Sequence, residues 1–145
     1  MRRATALLKK GKVYIQSYSK TTGGVWIAQA PVHVAGVDEV VQIEQYVREA
    51  LMHSRQGIRH PEQSQEWKAI QAPMLEATGA RSWGAMAKGT KVVSLACDNE
   101  TRVTMTPAQN YGSEGGADCS EGRIHTELSA DDIGEKLIAA FNVAS

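Results

Sequence analysis

Ser19-Lys20-Thr21-Thr22-Gly23-Gly24-Val25-Trp26-Ile27 decides how this chain is read. Ser, Thr and paired Gly tolerate positive φ and offer local side-chain hydrogen bonds, so the first six residues predict a turn. The Val-Trp-Ile that follows is a half-buried β run. Phosphate-cradling glycine loops lead into a helix N-terminus, whereas this Gly-Gly leads into a strand. The segment holds no nucleophile–base pair and no run of metal ligands. It describes structure, and function has to come from its surroundings.

Upstream, Thr5–Leu8 and Lys12–Tyr18 are β-prone runs on either side of Lys9-Lys10-Gly11, a hairpin turn. Val13 and Ile15 fall on one face of the second run, Tyr14 and Gln16 on the other. Downstream, Val25–Ala28 and Val32–Ala35 flank Pro31, which suits an edge strand or a bulge. The period then changes. Val40, Ile43, Val47, Ala50 and Leu51 recur at intervals of three and four, predicting an amphipathic helix from Asp38 to about Ser54, with Asp38 as N-cap and Gly57 just past its end.

Residues 57–90 read as irregular, broken by Pro61 and Pro73, with short helices over Pro73–Thr78 and Ser82–Lys88 and with Trp67 and Trp83 as anchors. Trp26 is expected in the core. Lys91–Cys97 and Arg102–Thr106 form a second hairpin about Asp98-Asn99-Glu100. Asn110–Gly122 is polar and Gly-rich, the expected long loop, and Arg123–Leu128 a last short strand. Ser129 is the expected cap of a final helix whose stripe is Ile133, Leu137, Ile138 and Phe141. The pattern predicts one α+β domain over residues 1–145, an antiparallel sheet of five or six strands with two main helices packed on one face.

Composition narrows the function classes. Hydrophobic residues make up 42% of the chain and charged residues 22%, as in folded soluble proteins. No apolar run approaches the roughly 18 residues that would span a bilayer, so no membrane partner is expected. The basic N-terminus carries too short an apolar stretch for a signal peptide, and the expected location is the cytoplasm. Cys97 and Cys119 belong to no CxxC pair and read as a buried strand thiol and a loop thiol, in keeping with a reducing compartment. His33, His53, His60 and His125 show no metal-ligand spacing, and no hydrolase or nucleotide motif occurs. No metal, cofactor or catalytic residue is expected. A small enzyme with a dispersed site stays open as an alternative.

The formal net charge is zero but unevenly spread. Residues 1–91 carry 13 Lys/Arg against 7 Asp/Glu, and residues 92–145 carry 3 against 9. An acidic half attracts a basic partner and repels nucleic acid. Asp98, Glu100, Glu114, Asp118 and Glu121, in turns and the Gly-rich segment, are the candidate partner contacts. The second alternative is a nucleic-acid-binding module built on the basic N-terminal hairpin, with Arg2, Arg3, Lys9, Lys10, Lys12 and Lys20 around Tyr14 and Tyr18.

Taken in order, the segments resemble the immunity proteins of bacterial contact-dependent growth inhibition systems. The resemblance is carried by Ser19–Ile27, the amphipathic helix of residues 38–54, His60-Pro61 with Trp67, and Leu75-Glu76-Ala77-Thr78-Gly79-Ala80-Arg81-Ser82-Trp83. Lys88-Gly89-Thr90-Lys91, then Val103, Pro107, Asn110 and Gly112, and finally Ser129, Gly134, Leu137 and Phe141 complete it, covering about residues 12–141. It implies a cytoplasmic protein that binds and neutralises the C-terminal toxin domain of a neighbour's effector. It also implies inhibition by occluding a basic, nuclease-type active site. The polar segment Gly115–Cys119 departs from the family pattern, in a region that could set partner specificity.

Overall fold

A computed structural model describes residues 1–99, 101–112 and 114–145. Strands β1 (Arg2–Lys9) and β2 (Lys12–Thr21) pair antiparallel through a tight turn. Lys10 and Gly11, both at positive φ (51° and 76°), make that turn, as the hairpin reading requires. β3 (Trp26–Gly36) continues the meander along the other side of β2, with an irregularity in register between Gln16 and Ser17 opposite the Pro31 segment. Helix α1 (Val40–His53) and the three-residue β4 (Gln56–Ile58) follow. Then come helices α2 (Ser64–Thr78) and α3 (Trp83–Ala87), strands β5 (Lys91–Asp98), β6 (Arg102–Gly112) and β7 (Gly115–Asp118), a 3-10 turn over Ser120–Gly122, β8 (Ile124–Glu127) and helix α4 (Ile133–Val143).

The strand path runs β3-β2-β1-β5-β6-β7, with β4 parallel to the end of β2 and β8 antiparallel to β6. The architecture is α+β, with eight strands among the described residues rather than five or six. The extra strands are β4 and β7, each too short to show an alternating pattern. β7 turns part of the expected Asn110–Gly122 loop into a hairpin with β6, where glycines face one another at Gly112 and Gly115.

Side-chain alternation sorts the sheet into two faces. Ala4, Ala6, Val13, Ile15, Val93 and Leu95 meet Ile43, Val47 and Leu51 of α1 and Leu137 and Phe141 of α4, the main core. The opposite face is half covered. Leu7, Tyr14 and Val92 lie beneath Met74 of α2 and Met86 of α3, a second, smaller core. Helices therefore cover both faces, because Tyr14 and Leu7 make the back of the central strands as apolar as the front.

The helix boundaries differ from their sequence signals. α1 begins after Glu39, whose side chain reaches back to accept from the Gly36 amide at 2.7 Å, so Asp38 is not the cap. α4 starts after Asp132, not Ser129. The Asp132 carboxylate is engaged by the Thr126 hydroxyl at 2.6 Å, and the Ala130 amide donates to Glu127 in a preceding turn. α2 runs straight through Pro73. The proline costs one backbone donor, while Met74, Leu75 and Ala77 beyond it pack onto the second core and hold the helix. Gly79, at φ 72°, ends α2 as expected, and the Ser82 hydroxyl caps α3 by accepting from Ala85. Lys9 ties α3 to β1, its ammonium donating to the carbonyls of Met86 (2.9 Å) and Lys88 (2.7 Å).

The two helices of the main core meet at Gly134 and Val40. An added Cβ there would stand 2.4 Å from the Val40 carbonyl oxygen and 2.7 Å from Val40 Cγ1. Gly134→Ala should therefore cost about 2 kcal/mol in chemical denaturation through overpacking. An unchanged midpoint would mean that α1 and α4 have slack at this contact.

Candidate partner-binding face

The opening turn holds the far end of the sheet together through buried hydroxyls. Thr21, 3% exposed, accepts from the amides of Gly23 (3.2 Å) and Val25 (3.2 Å) and hydrogen bonds His60 Nδ1 at 2.8 Å. Ser19 accepts from the Arg55 amide at 3.0 Å, and Ser54 accepts from the Arg3 amide at 3.0 Å while donating to the Tyr18 carbonyl. His60 meets Trp67 edge to face at 5.4 Å. A Cβ on Gly23 would fall 2.5 Å from the His60 ring, so a side chain there would push the ring off the turn. Three stretches separated in sequence thus form one hydrogen-bonded corner.

That corner frames the uncovered half of the second sheet face. Beyond the apolar row under α2 and α3, cross-strand rows turn polar. Gln16, Thr5, Ser94 and Thr106 stand side by side, and the next row is Tyr18, Arg3, Ala96 and Thr104. His125 of β8 pairs with Thr104, its Nδ1 3.1 Å from the Thr104 hydroxyl. Helix α2 flanks these rows only at their β2 end, beside Gln16 and Tyr18, and the strands beyond line a cleft of about 610 Å³. Trp26 stands at its margin rather than in the core, half-buried, with the Arg3 guanidinium over its ring at 5.0 Å.

Two of the sequence-predicted contacts come together here. Asp98, opposite Arg102 in the β5–β6 hairpin, and Asp118, at the end of β7, line the same cleft. Glu114 and Glu121 are exposed nearby in sequence, at the β6–β7 turn and in the 3-10 turn, and do not line it. Glu100 lies outside the described residues. Sequence order hid the counter-charges. Arg3, Arg102 and Arg123 line the cleft too, and no ion pair among the described residues occupies them. Strand pairing carries the basic N-terminus onto the acidic half of the chain, so the cleft is mixed in charge.

The cleft holds hydroxyls, an aromatic ring and exposed charges, and the Thr104 hydroxyl with His125 Nδ1 makes a hydroxyl–imidazole pair within it. Among the described residues no group of three or more His, Cys, Asp or Glu could hold a metal ion. Cys97 is buried in β5, and Cys119 is a free, half-buried thiol. No helix among the described residues is long and apolar enough to cross a membrane.

No family model matches the chain, and no curated protein matches it in sequence. Solved structures match its fold over almost the whole length. A protein of unknown function from Neisseria meningitidis superposes with a TM-score of 0.81 at 16% identity, covering 99% of this chain and 95% of that one. A chain of the CdiA-CT/CdiI toxin and immunity complex from Yersinia pseudotuberculosis superposes with a TM-score of 0.78 at 13% identity, covering 99% and 97%. At such identities the likeness is one of fold.

Tyr18, which pairs with Arg3 in the second polar row, carries a titration signature. Burial pushes its hydroxyl above the ordinary value of 10.0, with the Thr5 side chain acting the other way. A folded pKa raised above the unfolded one gives stability that is complete below about pH 10 and is lost as pH rises through the folded value. Urea denaturation between pH 8 and 11 should show a steeper alkaline loss for the wild type than for Tyr18→Phe. Parallel curves would mean that the hydroxyl is as well solvated folded as unfolded.

Proposed function

We propose that this protein is an immunity protein that binds and neutralises a toxin domain. The observation that carries the reading is the likeness of its fold, over 99% of the chain, to a chain from a toxin and immunity complex. The order of sequence motifs points to the same family independently of the fold. In this reading the protein acts in the cytoplasm on the cognate C-terminal toxin domain of a contact-dependent growth inhibition effector. It is not an enzyme and works by covering the toxin's active site, a nuclease-type basic surface. Such inhibition demands a rigid, complementary surface rather than a reaction centre.

The contacts assigned to the toxin are Asp98, Glu100, Glu114, Asp118 and Glu121, with Asp98 and Asp118 placed in the open cleft. Interleaved arginines give that face a pattern of sign, which fixes register and rejects wrong partners better than uniform charge. The nucleic-acid alternative loses support from Lys9, whose ammonium is spent on the carbonyls at the end of α3.

Titration calorimetry against the toxin domain encoded beside this protein, with a non-cognate toxin as control, tests the reading. One-to-one binding at nanomolar affinity, for the cognate domain alone, is expected; a folded cognate domain that does not bind would sink it. Reversing Asp118 and Glu121 to Lys should weaken binding more than tenfold while the circular dichroism and melting curve stay those of the wild type. Unchanged affinity would move the contact away from these residues.

A further inference from the structure

Gln16 and its neighbour Ser17 in β2 are buried side chains that each carry a polar atom without a hydrogen-bond partner among the described residues. Gln16 is 1% exposed, and the atom is its amide Nε2. Buried polar groups are nearly always paired, so an orphaned donor calls for an explanation. Gln16 lines a second cleft, of about 300 Å³, between β2, β3 and α2. The walls are mostly aromatic and aliphatic, formed by Trp26, Trp67, Trp83, Tyr18, Ile27 and Ile70, with Gln71 as a second amide among them. Trp67 is 38% exposed, a large apolar surface left in water. The cleft shares Tyr18 and Trp26 with the polar cleft, so the two form one continuous face.

We propose that this cleft is the seat of a tyrosine side chain from the toxin partner, whose phenol oxygen accepts from Gln16 Nε2. The inference rests on the immunity reading above. The aromatic walls call for a flat apolar body, and the amide donor calls for an oxygen acceptor on it. Phenylalanine would leave the donor unpaired, and tryptophan offers an N–H where an acceptor is needed. Asparagine and glutamine lack the apolar body, and a carboxylate would meet no Lys or Arg among the lining residues. At about 300 Å³ the cleft is at the small end of ligand sites and accommodates one ring. An aromatic anchor in a pocket beside a polar field is the usual make-up of an interface hot spot.

The tyrosine side chain can be tested without the toxin, using p-cresol against toluene. With indole ¹⁵N resonances as the readout, p-cresol should shift those of Trp26, Trp67 and Trp83. It should saturate at a concentration at least fivefold lower than toluene, and Gln16→Met should abolish that preference. Ile70→Trp, which fills the cleft from α2, should then weaken toxin binding more than tenfold with an unchanged melting curve. Equal binding of p-cresol and toluene, or none of either, overturns the site even if the toxin binds the wild type tightly. A clear p-cresol preference with no toxin binding overturns the partner assignment instead. The two readings therefore fail separately.

Discussion

Strand β2 has to be covered on both of its faces, and the rest of the structure follows from that. Val13 and Ile15 look toward α1 and α4, Tyr14 toward α2 and α3, and all three are buried. A sheet apolar on one side only could rest on two helices and present a polar back to water. Here the back is apolar for one cross-strand row, Tyr14 with Leu7 and Leu7 with Val92, and polar from the next row onward. Beyond the first part, α2 reaches only the β2 end of the hydroxyl row, beside Gln16 and Tyr18. The open, mixed-charge face is thus set by one change of composition along the strands, from Tyr14 and Leu7 to Gln16 and Thr5.

Much of this was legible from residues alone. The Lys9-Lys10-Gly11 turn, the 3.6-residue period from Val40 to Leu51, the stop at Gly79 and the short helix of residues 82–88 act through local chemistry, and each appears in the fold. The misreadings came where a distant group overrode the local signal. Ser129 looks like a cap until Asp132 is found held by Thr126 from β8. Pro73 looks like a break until the second core is seen holding the residues beyond it. Asn110–Gly122 looks like a loop because glycine hides a strand whose partner is its own neighbour.

The candidate face was harder to read for the same reason. Linear charge counts separate a basic half from an acidic half, but β1 pairs with β5 and so lays Arg3 against Ala96, two residues from Asp98. The candidate acidic contacts were named from sequence, while the arginines among them and the tryptophan-walled cleft emerge only from strand register. Thr21 shows the converse. Its motif reads as a plain turn, and its hydroxyl turns out to bind the His60 corner that joins the motifs of the family resemblance. The motif residues at this corner hold one another, and the solved structures share the fold at 13–16% identity.

The central claim is that the uncovered half of the second sheet face is where the protein meets its partner. Amide and side-chain NMR perturbation mapping with the cognate toxin domain tests it most directly. The account predicts that the largest changes fall on Arg3, Thr5, Ser94, Thr104 and Asp118, with the exposed surface of α1 around Val41 and Gln45 unaffected. Changes centred on α1 and α4, with the sheet face silent, would contradict it.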